Sequence, residues 1–516
     1  MNNMRVSTNG GLVTENWFDL NASRYTPSST LQRMELLKTG YMGTLSLGWD
    51  NYLFLELTGR QERSSTLKDQ SFFYPSANLS FLFTQAFHMP SWWNYGKLRL
   101  SYGIVGNAPE TYTANIVYEQ GSDNGFTWNT IPSSWGNADI RPEKKYEYEI
   151  GLESKFLNNR LGIDISYYNN RVKDQILSTP QPSTSGVKNV LMNVGEVANH
   201  GWDISISATP ILTRDFRWDL TANYGVYKNK VVKLADGVPY LEILNSGGSG
   251  IKIQAVEGQP MGDIYAQVPQ VNENGEYLVS DKGLYLNQTE LQKVGNINPA
   301  GVGGLFNSFS YKNVFLDFSI DFRIGGDVIN EMNQYATAVG LTPESLKYRD
   351  TEHGGLSYYY PGDNNSSGIP VQVDPSTGAG PNGEIIYHDG IILPGVVAST
   401  GERNTRIIPA GYYYNTTYNW GTEAEQLTYR HSVFDNSYVK LRELTIGYQF
   451  PEKMISKLGL GRLSVSVFGR NLFYFYKALK NYDAESSVGT SWANQATVGS
   501  STTATRSFGV SLRASF

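Results

Sequence analysis

Residues 144–176 read KKYEYEIGLESKFLNNRLGIDISYYNNRVKDQI, and this stretch decides the fold class. Tyr146, Tyr148, Ile150, Leu152 and Phe156 share one parity, while Lys145, Glu147, Glu149, Glu153 and Lys155 take the other. Side chains of a strand point to opposite faces in turn, so this period of two makes a ribbon with one oily and one wet face. A tight link at Leu157–Arg160 follows, and the alternation resumes over 161–170. The same period places Phe216, Trp218, Leu220, Ala222, Tyr224 and Val226 against Arg217, Asp219, Thr221, Asn223 and Gly225. At the end of the chain it sets Phe508, Val510, Leu512, Ala514 and Phe516 against Gly509, Ser511, Arg513 and Ser515. Further alternating segments lie near 41–48, 51–60, 77–85, 97–105, 202–209, 314–324, 437–450 and 462–471. The 437–450 segment slips phase. Val439 and Leu441 sit on one parity and Leu444, Ile446, Tyr448 and Phe450 on the other, which a β-bulge near Arg442-Glu443 reconciles.

A soluble sandwich has the same alternation, so connection lengths must separate the two architectures. Short links fall at Gly48–Asn51, Ala86–Gly96, Leu157–Arg160, Pro210–Asp215, Lys312-Asn313 and Pro451–Gly461. Long ones fall between them, at roughly 61–71, 106–143, 171–198, 229–302, 325–436 and 472–504. Short turns on one side and long loops on the other belong to outer-membrane β-barrels, whereas a sandwich is tightly connected at both ends. The reading gives an all-β, antiparallel transmembrane barrel sheet of about thirteen strands, the first running from Leu31 to Leu47.

Composition agrees. Charged residues make up 17%, against about 25% in ordinary globular proteins, while aromatics reach 13% with 35 Tyr and 52 Gly. No run approaches the roughly 20 apolar residues of a membrane helix, which leaves strands as the way across a bilayer. Net charge is −6 with no basic block, which points away from nucleic acid. The first residues, Met1-Asn2-Asn3-Met4-Arg5, contain no apolar export signal. Strand numbers in such barrels are even, so a thirteen-strand sheet entered from outside implies a fragment whose preceding strands lie elsewhere. Residues 1–30 then read as the remnant of an extracellular loop and 31–516 as a partial barrel.

Several runs resemble the SusC/RagA-type TonB-dependent transporters of Bacteroidota. They are Tyr74-Pro75-Ser76-Ala77-Asn78-Leu79-Ser80, LRLSYGIVGN (98–107), the 144–176 stretch, NVGEVANHGWDISISATPI (193–211), GDIYAQ (262–267), GGLFNSFSYKNVFLDFSIDFRIGGDVIN (303–330), DNSYVKLRELTIGYQFP (435–451) and FGRNLFYF (468–475). They occur in family order from about residue 40 to the end of the chain. The resemblance implies a barrel of about 22 strands, a plug domain inside it, an N-terminal segment that contacts TonB, and a SusD-like surface lipoprotein that caps the barrel. Oligosaccharides and peptides are the cargoes it implies. The plug, the TonB-contacting segment and the first strands are absent from this sequence. The rival from another class is a surface adhesion or binding protein built on the same barrel.

Candidate ligand contacts come from the loop aromatics Trp128, Trp135, Tyr358, Tyr359, Tyr360, Tyr412, Tyr413, Tyr414 and Trp420. Their rings can stack on the apolar face of a sugar, or they can pack the loops together; the sequence leaves both open. Trp17, Trp49, Trp92 and Trp93 read as interface-belt anchors, and Phe516 as a belt residue or an assembly signal. The charges Glu147, Glu149, Glu153, Arg217, Asp219, Asp317, Asp321 and Arg323 fall on wet faces and read as lumen wall. Asp363-Asn364-Asn365 and Ser122-Asp123-Asn124-Gly125 are turn chemistry rather than Ca²⁺ loops. The five histidines lack metal-ligand spacing. Gly247-Gly248-Ser249-Gly250 and Gly301-Val302-Gly303-Gly304 precede no helical pattern, so neither cradles phosphate. No nucleophile–base set, metal or cofactor is implied, and the reading is not an enzyme.

Overall fold

The computed structural model describes residues 2–68, 71–123, 126–246, 250–362, 368–419, 428–456, 459–487, 489, 491–499 and 504–515. Thirteen strands form one antiparallel meander, each paired with its neighbours in chain order. They are β1 (Lys38–Trp49), β2 (Leu53–Ser64), β3 (Ser71–Phe81), β4 (Trp93–Asn107), β5 (Glu143–Phe156), β6 (Leu161–Lys173) and β7 (Glu196–Leu212). The sheet continues through β8 (Phe216–Lys233), β9 (Gly301–Tyr311), β10 (Val314–Ile324), β11 (Tyr438–Gln449), β12 (Arg462–Lys477) and β13 (Ser507–Ser515).

Register aligns the oily faces. Leu47 pairs with Leu55, Leu55 with Leu79, Leu79 with Leu100 and Leu100 with Ile150. The row continues from Ile150 to Tyr167, to Trp202 and to Val226. Farther on, Phe309 pairs with Leu316, Leu316 with Ile446, Ile446 with Val467 and Val467 with Val510. These rows are uncovered: Leu47 is 51%, Trp202 48% and Val510 71% exposed. A one-residue slip in any strand would send its whole apolar set to the opposite face. An uncovered apolar band of this extent, far larger than the patches soluble monomers tolerate, is the surface that hydrocarbon covers. The opposite face runs Glu56–Asn78–Ser101–Glu149–Tyr168 and is polar. Among the described residues no helix is long and apolar enough to cross a membrane.

Aromatic rings gather at the short-turn end. Trp92 and Trp93 stack on each other and on Phe156, with centroids 5.4–6.0 Å apart. Trp218 stacks on Phe309 at 5.5 Å, and its indole N–H donates to Asn307 Oδ1 at 3.1 Å, satisfying an amide on the oily face. This is the girdle that amphipathic rings form at a membrane interface. Trp17 does not join it, because it sits at the tip of a separate ribbon, Asn2–Leu12 paired with Ser23–Arg33. Phe516 lies outside the described residues.

Two strand boundaries differ from the sequence reading. The first strand begins at Lys38, not Leu31, because Leu31 belongs to the N-terminal ribbon and Leu36-Leu37 breaks the alternation before β1. The third strand spans Ser71–Phe81 rather than 77–85. Phe83 starts a helical turn and folds over Gly96 and Trp93, with ring centroids 5.2 Å apart. The link 65–70 is consequently short, so the contrast in loop length fails at that position alone.

The long loops fold into a body of their own. Tyr240–Ser246, Ile251–Val256, Asp263–Ala266 and Gln292–Asn296 make a four-stranded sheet whose buried face holds Ile251, Ile253 and Ile264 with Ile329 and Tyr429. Leu356–Tyr359 pairs with Val371–Gln372 and Tyr387–Ile391, and Tyr387–Ile391 pairs with Ile408–Pro409. Two helices, α1 (Glu331–Ala338) and α2 (Ala410–Tyr418), pack beside these strands. Buried apolar side chains concentrate in this body, while the thirteen-strand sheet wears its apolar side chains outside.

Candidate functional site

The polar face of the sheet holds its charges in pairs. Arg99 grips Asp164 at 2.6 Å and lies 3.6 Å from Glu153; Lys145 meets Glu147 at 2.6 Å; Arg217 meets Asp219 at 2.5 Å. Arg323 donates instead to the carbonyls of Gly325 and Ile297, at 3.2 and 3.0 Å, where the wall passes into the loops. Glu149 faces Ser101 and Asp317 faces Thr445 across the ladders.

The phase slip in β11 is a bulge with a task. Ser319 pairs with Glu443 and Ile320 with Leu441, leaving Arg442 as the extra residue. On β12, Asn471-Leu472 also interrupts the register, and Asn471 adopts a φ of 53°. Bulges re-aim side chains. Here the Arg442 guanidinium reaches Asp321 Oδ2 at 2.6 Å, Asn471 Oδ1 at 2.9 Å and Glu485 Oε1 at 2.5 Å. Lys440, only 2% exposed, donates to the other Glu485 oxygen at 2.6 Å and lies 4.7 Å from the Tyr474 ring centre. The hydrogen bond from Arg442 is the main reason the Glu485 carboxyl is held down at about 2. Glu485 belongs to the loop between β12 and β13, so this network ties that loop to the wall.

The eight loop aromatics among the described residues separate into two groups. Trp128 is exposed on the small hairpin Glu119–Asp123/Phe126–Thr130, and half-buried Trp135 meets Tyr118 edge-on at 5.9 Å. The tyrosines lie in the large loop body. Tyr358, Tyr360 and Tyr414 are buried there. Tyr358 stacks on Tyr387 at 5.5 Å and donates its hydroxyl to Asp389 at 3.1 Å, while Tyr414 donates to the Glu344 carbonyl at 2.7 Å. Their ring faces are taken up in packing. Tyr359, Tyr412 and Tyr413 are half-buried and keep free surface. Tyr413 borders a cavity of about 410 Å³ with Tyr285 and Tyr348. Tyr360 and Tyr412 border another, of about 290 Å³, with Lys282 and Arg406. Burial drives the Tyr285 hydroxyl up to about 12 and keeps that of Tyr413 high as well. Trp420, Asp363-Asn364-Asn365, Asn124-Gly125 and Gly247-Gly248-Ser249 lie outside the described residues. Lys282, Arg406, Lys440 and Glu485 were not legible as site residues. Lys440 shows only as a polar position in an alternating strand, and the others stand in loops with no period.

The family profile described as "TonB dependent receptor-like, beta-barrel" matches residues 6–264, half of the chain. The chain belongs to the TonB-dependent receptor β-barrel family. It is an outer-membrane protein. TonB-dependent receptor P3 of Formosa agariphila is 24% identical over 87% of this chain and 42% of its own length. TonB-dependent receptor SusC of Bacteroides thetaiotaomicron is 30% identical over 44% of this chain and 24% of its own. The chain thus spans less than half the length of the curated relatives it matches. Among solved structures, the RagAB peptide importer in its open-open state superposes with a TM-score of 0.69 at 18% identity, covering 98% of this chain and 50% of that one. That likeness supports the fold: the thirteen-strand sheet is receptor barrel wall, and its polar face is the lumen.

Proposed function

We propose that this chain forms the wall and external loops of a SusC-like importer that moves an oligosaccharide or peptide across the outer membrane. In this reading a SusD-like lipoprotein covers the loop body and delivers cargo. TonB, acting through an N-terminal region and plug outside this sequence, opens the lumen. The chain performs no covalent chemistry; its work is capture and passage. One observation carries the proposal: a sheet that is oily outside and ion-paired inside ends, on one side only, in a folded loop body with half-buried tyrosines at its cavities. Trp128, Trp135 and the six tyrosines are the ligand-contact candidates, with Tyr359, Tyr412, Tyr413 and Trp128 offering ring surface.

Uptake of labelled oligosaccharide and labelled peptide by cells with and without the gene tests this reading. Uptake of one cargo should be lost with the gene and should collapse when a protonophore removes the inner-membrane gradient. Unchanged uptake of both, with loss of surface attachment in the same cells, would favour the adhesion reading.

A further inference from the structure

We infer that the outward face of β5–β8 carries, at its long-loop end, a basic patch that binds phosphate-bearing headgroups of the lipid leaflet it meets. Register alone assembles the patch, since the sequence holds no basic block and the chain as a whole carries −6. The oily row Ile150–Tyr167–Trp202–Val226 is followed on the same face by Tyr148–Asn169–His200–Lys228. Next come Tyr146–Arg171–Ala198–Lys230 and then Lys144–Lys173–Glu196. Each row lies about 7 Å beyond the last along the strands. Tyr167 meets Trp202 at 4.9 Å between centroids, and Lys173 Nζ stands 5.9 Å from the Tyr146 ring centre. Rings of this kind settle at headgroup height, and lysine and arginine stems reach from hydrocarbon to the charged layer above it.

Electrostatics favours an anion here. Lys144 stands directly opposite Lys173 across the ladder between β5 and β6, and like charges so placed destabilise a sheet unless something negative lies between them. Glu196 is the one carboxylate in these three rows, and Arg171 already holds it at 3.0 Å. Lys144, Lys228 and Lys230 enter no ion pair among the described residues. Arg171, Lys173, Lys228 and Lys230 are exposed. The lumen face of the same sheet is arranged otherwise, with Arg99, Lys145 and Arg217 each meeting its own carboxylate. The outward cations continue an apolar row that is itself uncovered. A lipid whose chains lie on Ile150 and Trp202 while its phosphate meets the lysines satisfies both halves of this surface at once. A soluble anion would use only the upper half. The inference goes beyond the import reading and is independent of the cargo.

The test is lipid sorting around the purified full chain in phosphatidylcholine vesicles at low salt. A fluorophore on Ile204→Cys, one row below Trp202 on the same face, reports quenching by brominated phosphatidic acid against brominated phosphatidylcholine. Leu57→Cys, on the outward face of β2, is the reference position. Phosphatidic acid should be enriched at least about fivefold at position 204, the scale of one cation against an anionic surface, and not at position 57. Replacing Lys144, Lys228 and Lys230 together by glutamine should remove the enrichment, whereas Lys145→Gln on the lumen face should leave it intact. Unaltered heat-modifiable gel mobility is the fold control. The lipid ratio with the patch unmodified is decisive by itself, so a variant that fails to fold does not rescue the idea. Equal quenching by the two lipids, equal enrichment at both positions, or a folded triple variant that sorts lipid like the parent overturns it. Loss of sorting in inorganic phosphate, but not in chloride of the same ionic strength, would make this a site for free anions and overturn the lipid assignment. Sorting by a chain that imports nothing would remove the import reading alone.

Discussion

Arg442 shows how a single inserted residue can be read from sequence while its purpose cannot. The phase slip between Leu441 and Leu444 fixed the bulge, because only an extra residue keeps both apolar sets on one face. Glu485, its main partner, sits in a loop with no period to mark it. Removing one member of a partly buried ion network leaves the others unsatisfied. Arg442→Gln should therefore loosen the loop between β12 and β13 by roughly 1–3 kcal/mol, seen as about tenfold faster proteolysis within 478–506 in an otherwise intact sheet. The pH dependence has a definite sign. The folded Glu485 carboxyl is depressed to about 2, so its contribution is complete above the unfolded value near 4.5 and fades as pH falls toward 2. Glu485→Gln should flatten protection of the loop over that window, and an unchanged profile would contradict the anchor. The oily face offers a second residue-scale test. Trp218→Phe strands the Asn307 oxygen in hydrocarbon and should cost about 1–3 kcal/mol in urea unfolding from lipid vesicles. Adding Asn307→Leu should recover most of that loss, and strictly additive losses would sink this account.

Elements differ sharply in how much of them the sequence discloses. The sheet strands run nine to eighteen residues, long enough for a period of two to stand out, and adjacent strands corroborate one another through register. The loop body could not be resolved in this way. Its strands run two to seven residues, Ile251–Val256 and Asp263–Ala266 are buried on both faces, and partners such as Leu278–Val279 and Val396–Val397 come from distant parts of the chain. Aromatic density marked loops that fold together but not which rings keep surface, since Tyr358, Tyr360 and Tyr387 pack on one another. The same packing makes the body pH-sensitive through His431, which stacks on Tyr418 at 4.4 Å. Desolvation, helped by Arg430, lowers its folded pKa to about 4, against 6.5 for the free side chain. Between those values the unfolded state binds the proton more readily, so stability falls as pH drops from 6.5 toward 4. Hydrogen-exchange protection in 428–433, taken relative to the intrinsic rate at each pH, should fall over that range, and His431→Phe should abolish the dependence. Protection that rises or stays level in the parent would refute it.

At the scale of the molecule, everything depends on which medium meets each face of the sheet. The apolar rows from Leu47 to Val226 and from Phe309 to Val510 are uncovered, and the opposite face carries the ion pairs. That division distinguishes a receptor wall from a sandwich half. The chain contains no cysteine, so single cysteines can be introduced one by one without background. The most direct measurement is a spin-label scan along β5, from Lys145 to Phe156, in the protein assembled in outer membrane. Labels at 146, 148, 150 and 152 should collide with oxygen dissolved in lipid, while labels at 145, 147, 149 and 153 should collide with a water-soluble nickel complex. A scan in which the even positions are shielded from both reagents, as they would be in a buried soluble core, contradicts the account.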